Sequence, residues 1–386
     1  MECLISLFKY PFKKKDHNFV QKKTPLITVF LFLIYSFMFK IIKTVKKDIT
    51  IQKQGFVESF CSLPFIRLKF TSDGYVTMCC FQTRKCLGNI LEKSLEEIWF
   101  SPLAESIRRE ILEGKLHKTC QIESCPFYHK NVKENNRVKT RKYPSQFEID
   151  LPNTHCNIGG ETPSDKNPAC IMCERNMPFD PQVDKLNEVC AVLKPYIQYV
   201  NAVHIQGVAE AFWKDRIFEI IDLLDINSFK QKIKISSTTN GILLTEKRRK
   251  RFLDYPLSSL TWSLDAATPE TFQKIRRVDM YDKIVENLKN YARERNRRNQ
   301  LIHIHNNINL INIHEVVGMV ELAAKINANY LDFNPTCGDQ EFCVNSKNFK
   351  IFQEAQDKIK AASRRLGIRA NFLRDLSLDY AEQSLE

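Results

Sequence analysis

From Gln146 onward the apolar and polar positions fall into a repeating order. A short apolar or alternating stretch is followed by a longer one with helical spacing. The short stretches lie near 147–151, 202–207, 233–240, 260–265, 301–309 and 329–334, and a last helical pattern lies near 346–366. Six βα repeats predict a parallel sheet with right-handed crossovers. With no sign of a reversal in strand order, they fit a partial (β/α)6 TIM-like barrel of the α/β class better than a doubly wound sheet. Its active site is then expected at the C-terminal ends of the strands.

Upstream the pattern changes. A hairpin is predicted from Phe65-Ile-Arg-Leu-Lys-Phe, the turn Ser72-Asp73-Gly74 and Tyr75-Val-Thr-Met-Cys79, because Asp-Gly between alternating runs favours a tight turn. A helix is predicted from about Ser94 to Glu113, ended by Gly114. Residues 130–145 are basic and polar and predict a linker. The division expected is a tail (1–55), a small Cys-rich α+β domain (56–129), the linker, the barrel (146–345) and a C-terminal helix and tail (346–386).

Charge then sharpens the picture. The net charge is +13, yet residues 1–55 hold eleven Lys/Arg against Glu2, Asp16 and Asp48. The basic character therefore belongs mainly to the tail, and the body is not a nucleic-acid binder on this evidence. The tail also carries the uncharged run Thr24–Phe39, extended past Lys40 by Ile41 and Ile42, with lysines on both flanks. It is short for a membrane span, and it predicts an anchor at the cytoplasmic membrane face, an interfacial helix or a soluble apolar helix.

Thirteen cysteines are too sparse for a small disulfide scaffold, and nine of them fall between Cys61 and Cys173. Such clustering points to metal or iron–sulfur ligation in a reducing compartment, hence the cytoplasm. Cys156, Cys170 and Cys173 follow the first barrel strand. Three thiolates there suit three irons of a [4Fe–4S] cluster with the fourth iron open, or a zinc site short of one ligand. After the second strand stands Gln206-Gly207-Val208-Ala209-Glu210, where Gly207 permits close backbone approach and Glu210 can fix an ammonium group. Thr239-Asn240-Gly241 follows the third strand. Ser263-Leu264-Asp265, then Thr268-Pro269-Glu270 and Arg276, follow the fourth. Ser263 and Asp265 offer a hydroxyl and a carboxylate to a ribose diol, while Thr268 and Pro269 also suit plain helix initiation.

Taken in this order, the four strand-end motifs over residues 146–345 resemble the radical S-adenosylmethionine (SAM) superfamily. The resemblance implies a [4Fe–4S] cluster held by Cys156, Cys170 and Cys173, with SAM on the open iron. Reductive cleavage of SAM then yields a 5′-deoxyadenosyl radical that abstracts hydrogen from a small-molecule or peptide substrate. It implies that Gly207 and Glu210 border the methionine part of SAM, Ser263 and Asp265 its ribose and Met172 its adenine. It also implies a flavodoxin- or ferredoxin-type electron donor. Two departures stand out: thirteen residues separate Cys156 from Cys170 where the family has three, and the turn after Gly207 lacks a second glycine.

The upstream cysteines make a second set. Cys61, Gly74 and Cys79, with Cys120 and Cys125 beyond the helix, resemble the SPASM/twitch auxiliary-cluster domain, here placed before the barrel. That resemblance implies an auxiliary [4Fe–4S] cluster on Cys61, Cys79, Cys120 and Cys125, with Cys80 and Cys86 as spare thiols. The spacing alone equally allows a structural zinc site, and with it a non-catalytic zinc-binding interaction protein. His204, His303 and His305 are expected to be core-facing or hydrogen-bonded, and Cys190 buried. Cys337 and Cys343 are expected on loops near the barrel mouth.

Overall fold

The computed structural model describes residues 61–79, 85–115, 117–120, 140–152, 170–172, 184–207, 210–337 and 340–372. Among the described residues, ten strands form one sheet. Six are the expected barrel strands: β4 (Gln146–Leu151), β5 (Ala202–Gly207), β6 (Lys234–Thr239), β7 (Ser258–Ser263), β8 (Gln300–Ile308) and β9 (Tyr330–Pro335). They are parallel and lie in strictly sequential order, as in a barrel wall. β7 starts and ends two residues earlier than its apolar run suggests, so Asp265 lies beyond the strand. A short β10 (Ala370–Phe372) adds parallel to β9, after the helix Phe349–Leu366.

The cysteine-rich segment differs from expectation in three ways. Pro64 starts a helical turn over Leu63–Ile66, so the first strand is only β1 (Arg67–Phe70). It pairs with β2 (Tyr75–Thr77), which pairs with β3 (Gly88–Asn89). The helix expected over 94–113 is two helices, Leu95–Trp99 and Pro102–Leu112. Ser94 caps the first in a reciprocal box with Glu97, and Ser101 with Pro102 starts the second. Most consequentially, β1 pairs parallel with β4, Lys69 opposite Glu148. Residues 56–386 group as one compact unit, in which β1 and β4 are neighbours in the sheet.

Each barrel strand alternates, and the two faces differ. One face carries Phe147, Ile149, Val203, Ile205, Ile235, Leu260, Trp262, Ile302, Ile304, Leu331 and Phe333. All are buried in one core with helix residues such as Val189, Ile217, Phe252, Leu288, Val320 and Phe352. The other face is polar. Lys69, Glu148, His204, Ser236 and Ser259 lie side by side across five strands. Thr238, Thr261, His303 and Tyr330 make a second rank, and Ser263, His305, Asp332 and Asn371 a third. A closed barrel fills its interior with layers of branched apolar side chains; this inner face instead presents hydrogen-bonding groups.

Candidate active site at the mouth of the barrel

Four strand ends converge at the mouth. Gly207 ends β5 where a Cβ would lie 2.9 Å from both Leu151 N and Leu151 O, so the closeness of β4 requires glycine. Gly241 follows β6 with φ +82, and there a Cβ would meet the Trp262 ring at 2.5 Å. Glu210 is buried. Its Oε1 accepts from Thr239 Oγ1 at 2.6 Å and from the Phe212 N–H at 3.3 Å, and its Oε2 accepts from the Asn240 N–H at 2.7 Å. Burial pushes its carboxyl above the usual range, although these bonds oppose the rise. Glu210 thus ties the loop after β5 to the end of β6.

Beyond β7, Asp265 is fully buried. Its Oδ1 accepts from the Asn307 N–H at 2.8 Å, and its Oδ2 pairs with the Arg276 guanidinium. Both oxygens are therefore engaged inside the protein. Half-buried Ser263 is left as the hydroxyl of that pair on the inner face. Arg276 ends the helix Pro269–Arg276, which Thr268 caps and Pro269 begins. Its Nη2 donates to Ser263 O at 3.1 Å, and its Nη1 lies 3.7 Å from Cys170 Sγ. The Ile171 N–H donates to Ile275 O at 3.0 Å, which docks the Cys170 segment on the same helix end. Half-buried Met172 follows on that turn. The fold thus brings Cys170, Ser263 and Asp265 together through Arg276. Cys156 and Cys173 lie outside the described residues.

A guanidinium against a thiol sulfur favours the thiolate, the form that ligates iron. Cys170, the one described thiol of the triplet, therefore fits an anionic thiolate-bound cluster at this mouth. Neither the Arg276–Cys170 contact nor the role of Thr239 and Asn240 in holding Glu210 was visible in the strand-end motifs. The polar inner face did have a signal: polar residues two apart in strand after strand, as in His303, His305 and Asn307.

At the opposite end of the sheet lie Cys61 (buried) and Cys79 (half-buried). β2 runs antiparallel to β1, so Cys79, two residues past Thr77, sits toward the start of β1 and hence the N-terminal ends of the barrel strands. Cys61 precedes the turn that leads into that same end. Half-buried Cys120 donates its N–H to His117 O at 2.8 Å. Cys125 and Cys80 lie outside the described residues, and Cys86 is exposed. At ~3.3 Å per residue, the six residues of β4 run about 20 Å from one end of the strand to the other.

Cys190 is buried as expected, and burial pushes its thiol up to about 12. Cys343 is buried and Cys337 half-buried beyond β9. His204 is hydrogen-bonded to Ser236 Oγ and Gln206 Oε1, both at 2.8 Å. The apolar run at 24–42 lies outside the described residues, and among the described residues no helix is long and apolar enough to cross a membrane.

Comparison with known families agrees with this architecture. The radical SAM superfamily model matches residues 167–323, and the SPASM iron–sulfur cluster-binding domain matches residues 61–126. The chain belongs to the radical SAM superfamily, with a SPASM domain ahead of its barrel domain. Its cofactors are accordingly [4Fe–4S] clusters and SAM. Solved structures it resembles include native anSMEcpe with bound AdoMet, at 19% identity and a TM-score of 0.45, covering 59% of this chain and 64% of that one. Another is Streptococcus suis SuiB bound to the precursor peptide SuiA, at 14% identity and a TM-score of 0.44, covering 83% and 74%. A third is a radical SAM methyltransferase from Sphaerobacter thermophilus, at 13% identity and a TM-score of 0.35, covering 51% and 58%. The match thus spans less than two thirds of the first of these. No curated protein matches the chain.

Proposed function

We propose that this protein is an enzyme that cleaves SAM reductively and uses the resulting radical to abstract hydrogen from a substrate held against the inner face. The observation that carries this reading is the Arg276 bridge, which gathers Cys170, Ser263 and Asp265 at one strand-end mouth. Cys156, Cys170 and Cys173 would hold the cluster, with Met172, Gly207, Glu210 and Ser263 bordering SAM. When bound, the cluster supplies the electron that releases a 5′-deoxyadenosyl radical from SAM.

The chain's own residues hold the parts in place. Glu210 ties the segment that follows β5 to the end of β6. Asp265 orients Arg276, whose charge offsets that of the thiolate. The polar ranks below the mouth offer donors and acceptors to a small-molecule or peptide substrate. Cys61, Cys79, Cys120 and Cys125 would hold the auxiliary cluster at the far end. A flavodoxin- or ferredoxin-type donor would reach the protein in the cytoplasm, with the basic tail associating with the membrane face.

Replacing Cys156, Cys170 and Cys173 together with Ala is expected to remove one cluster's iron and all 5′-deoxyadenosine formation. Ala at Cys61, Cys79, Cys120 and Cys125 is expected to remove the other cluster and leave some uncoupled cleavage. Anaerobic iron analysis and product chromatography read both. Unchanged 5′-deoxyadenosine formation in the first variant would sink the assignment.

A further inference from the structure

The acidic groups along the inner face and mouth are not equally neutralised. Glu148 lies 3.0 Å from Arg67 and 3.7 Å from Lys69, and Asp150 lies 2.8 Å from Lys69. Asp265 is paired with Arg276. Among the described residues two of these carboxylates form no ion pair with Lys or Arg: Glu210, whose oxygens are taken up by Thr239, Asn240 and Phe212, and Asp332, in the middle of β9. Its neighbours are Asn371, whose Nδ2 donates at 2.8 Å, and His303, whose Nδ1 lies 3.9 Å away. Its side chain is only 17% exposed. Burial works against the Asp332 carboxylate, but His303 and Asn371 hold it below the usual range; it is thus an ionised group that no Lys or Arg of the described residues faces.

A second, independent deficit sits beside it. His305 is the register neighbour of Asp332 across β8 and β9, and its Nε2 is buried with no hydrogen-bond partner. The Tyr330 ring lies 4.6 Å from the His303 ring and completes the wall. One wall therefore holds an unmatched carboxylate, an unused imidazole nitrogen and an aromatic ring. An ammonium group satisfies all three: it has charge for the carboxylate, N–H donors for both acceptors and attraction to a ring face. A neutral amide or hydroxyl would supply the hydrogen bonds but leave the charge unmatched.

We propose that Asp332, His303 and His305 form a site for a cationic nitrogen of the substrate, on the β8–β9 wall of the inner face. This rests on the reading that the inner face receives substrate. A peptide side chain and an amino sugar share the required chemistry, and two probe pairs tell them apart. The first pair is Nα-acetyl-lysine methylamide against Nα-acetyl-norleucine methylamide; the second is glucosamine against glucose.

Binding is measured calorimetrically to the full-length, anaerobically reconstituted protein with SAM present. The cationic member of one pair is expected to bind at least about tenfold tighter than its neutral partner. Asp332→Asn should erase that preference without weakening the neutral partner. A preference in the lysine pair assigns a peptide side chain, and one in the sugar pair an amino sugar; either supports the site. Equal binding within both pairs, no binding by any probe, or a preference that survives Asp332→Asn overturns it. Should Asp332→Asn fail to retain iron, His305→Phe keeps a flat ring, removes the acceptor and should reduce the preference at least threefold. 5′-Deoxyadenosine is quantified in the same samples. A cation preference without SAM cleavage would keep the site and reject the activity, and cleavage without preference would do the reverse.

Discussion

Thr261 and Trp262 are neighbours on β7 and sit in different worlds. Trp262 is fully buried under the helices, with its ring 6.1 Å from that of Tyr291. Thr261 faces the other way, half-buried, between Thr238 and His303. The same contrast recurs at Ile304 and His305 on β8, and at Phe333 and Asp332 on β9. Parallel sheets usually carry helices on both faces and so read as continuous apolar runs. Here the alternation reflects helices that, among the described residues, pack on the apolar face. The outer face accounts for stability, and the inner face is free to carry chemistry.

The largest test of this division compares the two neighbours directly. Trp262→Ala should destabilise the protein by about 3–5 kcal/mol, because it opens a cavity among Tyr291, Gly241 and the helix core. Thr261→Ala should cost under about 1 kcal/mol, since its side chain borders open polar space. Anaerobic urea titrations measure both. Comparable losses would mean that the inner face is packed like the outer one.

Glu210 sharpens the contrast from the rim. It is a buried carboxylate that serves the loop and not the core. Glu210→Ala should cost roughly 1–3 kcal/mol, because Thr239 Oγ1, Asn240 N–H and Phe212 N–H lose their acceptor. Its effect on SAM affinity, measured by equilibrium binding, should exceed its effect on the thermal midpoint in proportion to that of Trp262→Ala. If SAM affinity is unchanged, the loop it holds does not touch SAM.

Much of this was legible in the sequence because it is local. Strand positions followed from apolar runs, and the helix after β7 from Thr268 and Pro269. Cys170 and Arg276 are 106 residues apart, and nothing in either neighbourhood announces their contact. The pairing of β1 with β4 is likewise a matter of register between distant segments, which no local pattern announces. Asp265 was expected to face a ribose because Ser-Leu-Asp ends an apolar run. β7 stops at Ser263, which carries Asp265 past the strand and into the grip of Arg276. Taken one by one, His204, His303 and His305 carry no signal in the sequence. Their shared alternation with Asn307, Asp332 and Asn334 becomes visible only when strands are laid side by side.

The smallest expected effect is a slope. Burial holds the His305 imidazole below its ordinary value of 6.5, against the pull of Asp265 and Asp332. The folded protein therefore resists protonation that the unfolded chain accepts. Its contribution to stability is complete above about pH 6.5 and is lost as pH falls toward the lower, folded value. His305→Asn should remove this part of the acid-side decline while leaving stability above pH 7 nearly unchanged. His204 is held low in the same way, so a residual slope should persist in the variant. Thermal midpoints of wild type and variant between pH 5 and 8 measure the difference. Superimposable profiles would show that the His305 ring is as well hydrated as an unfolded one. The wall beside Asp332 would then be open to water, and the division between a sealed outer face and a partly enclosed inner one would be less sharp than the buried Nε2 indicates.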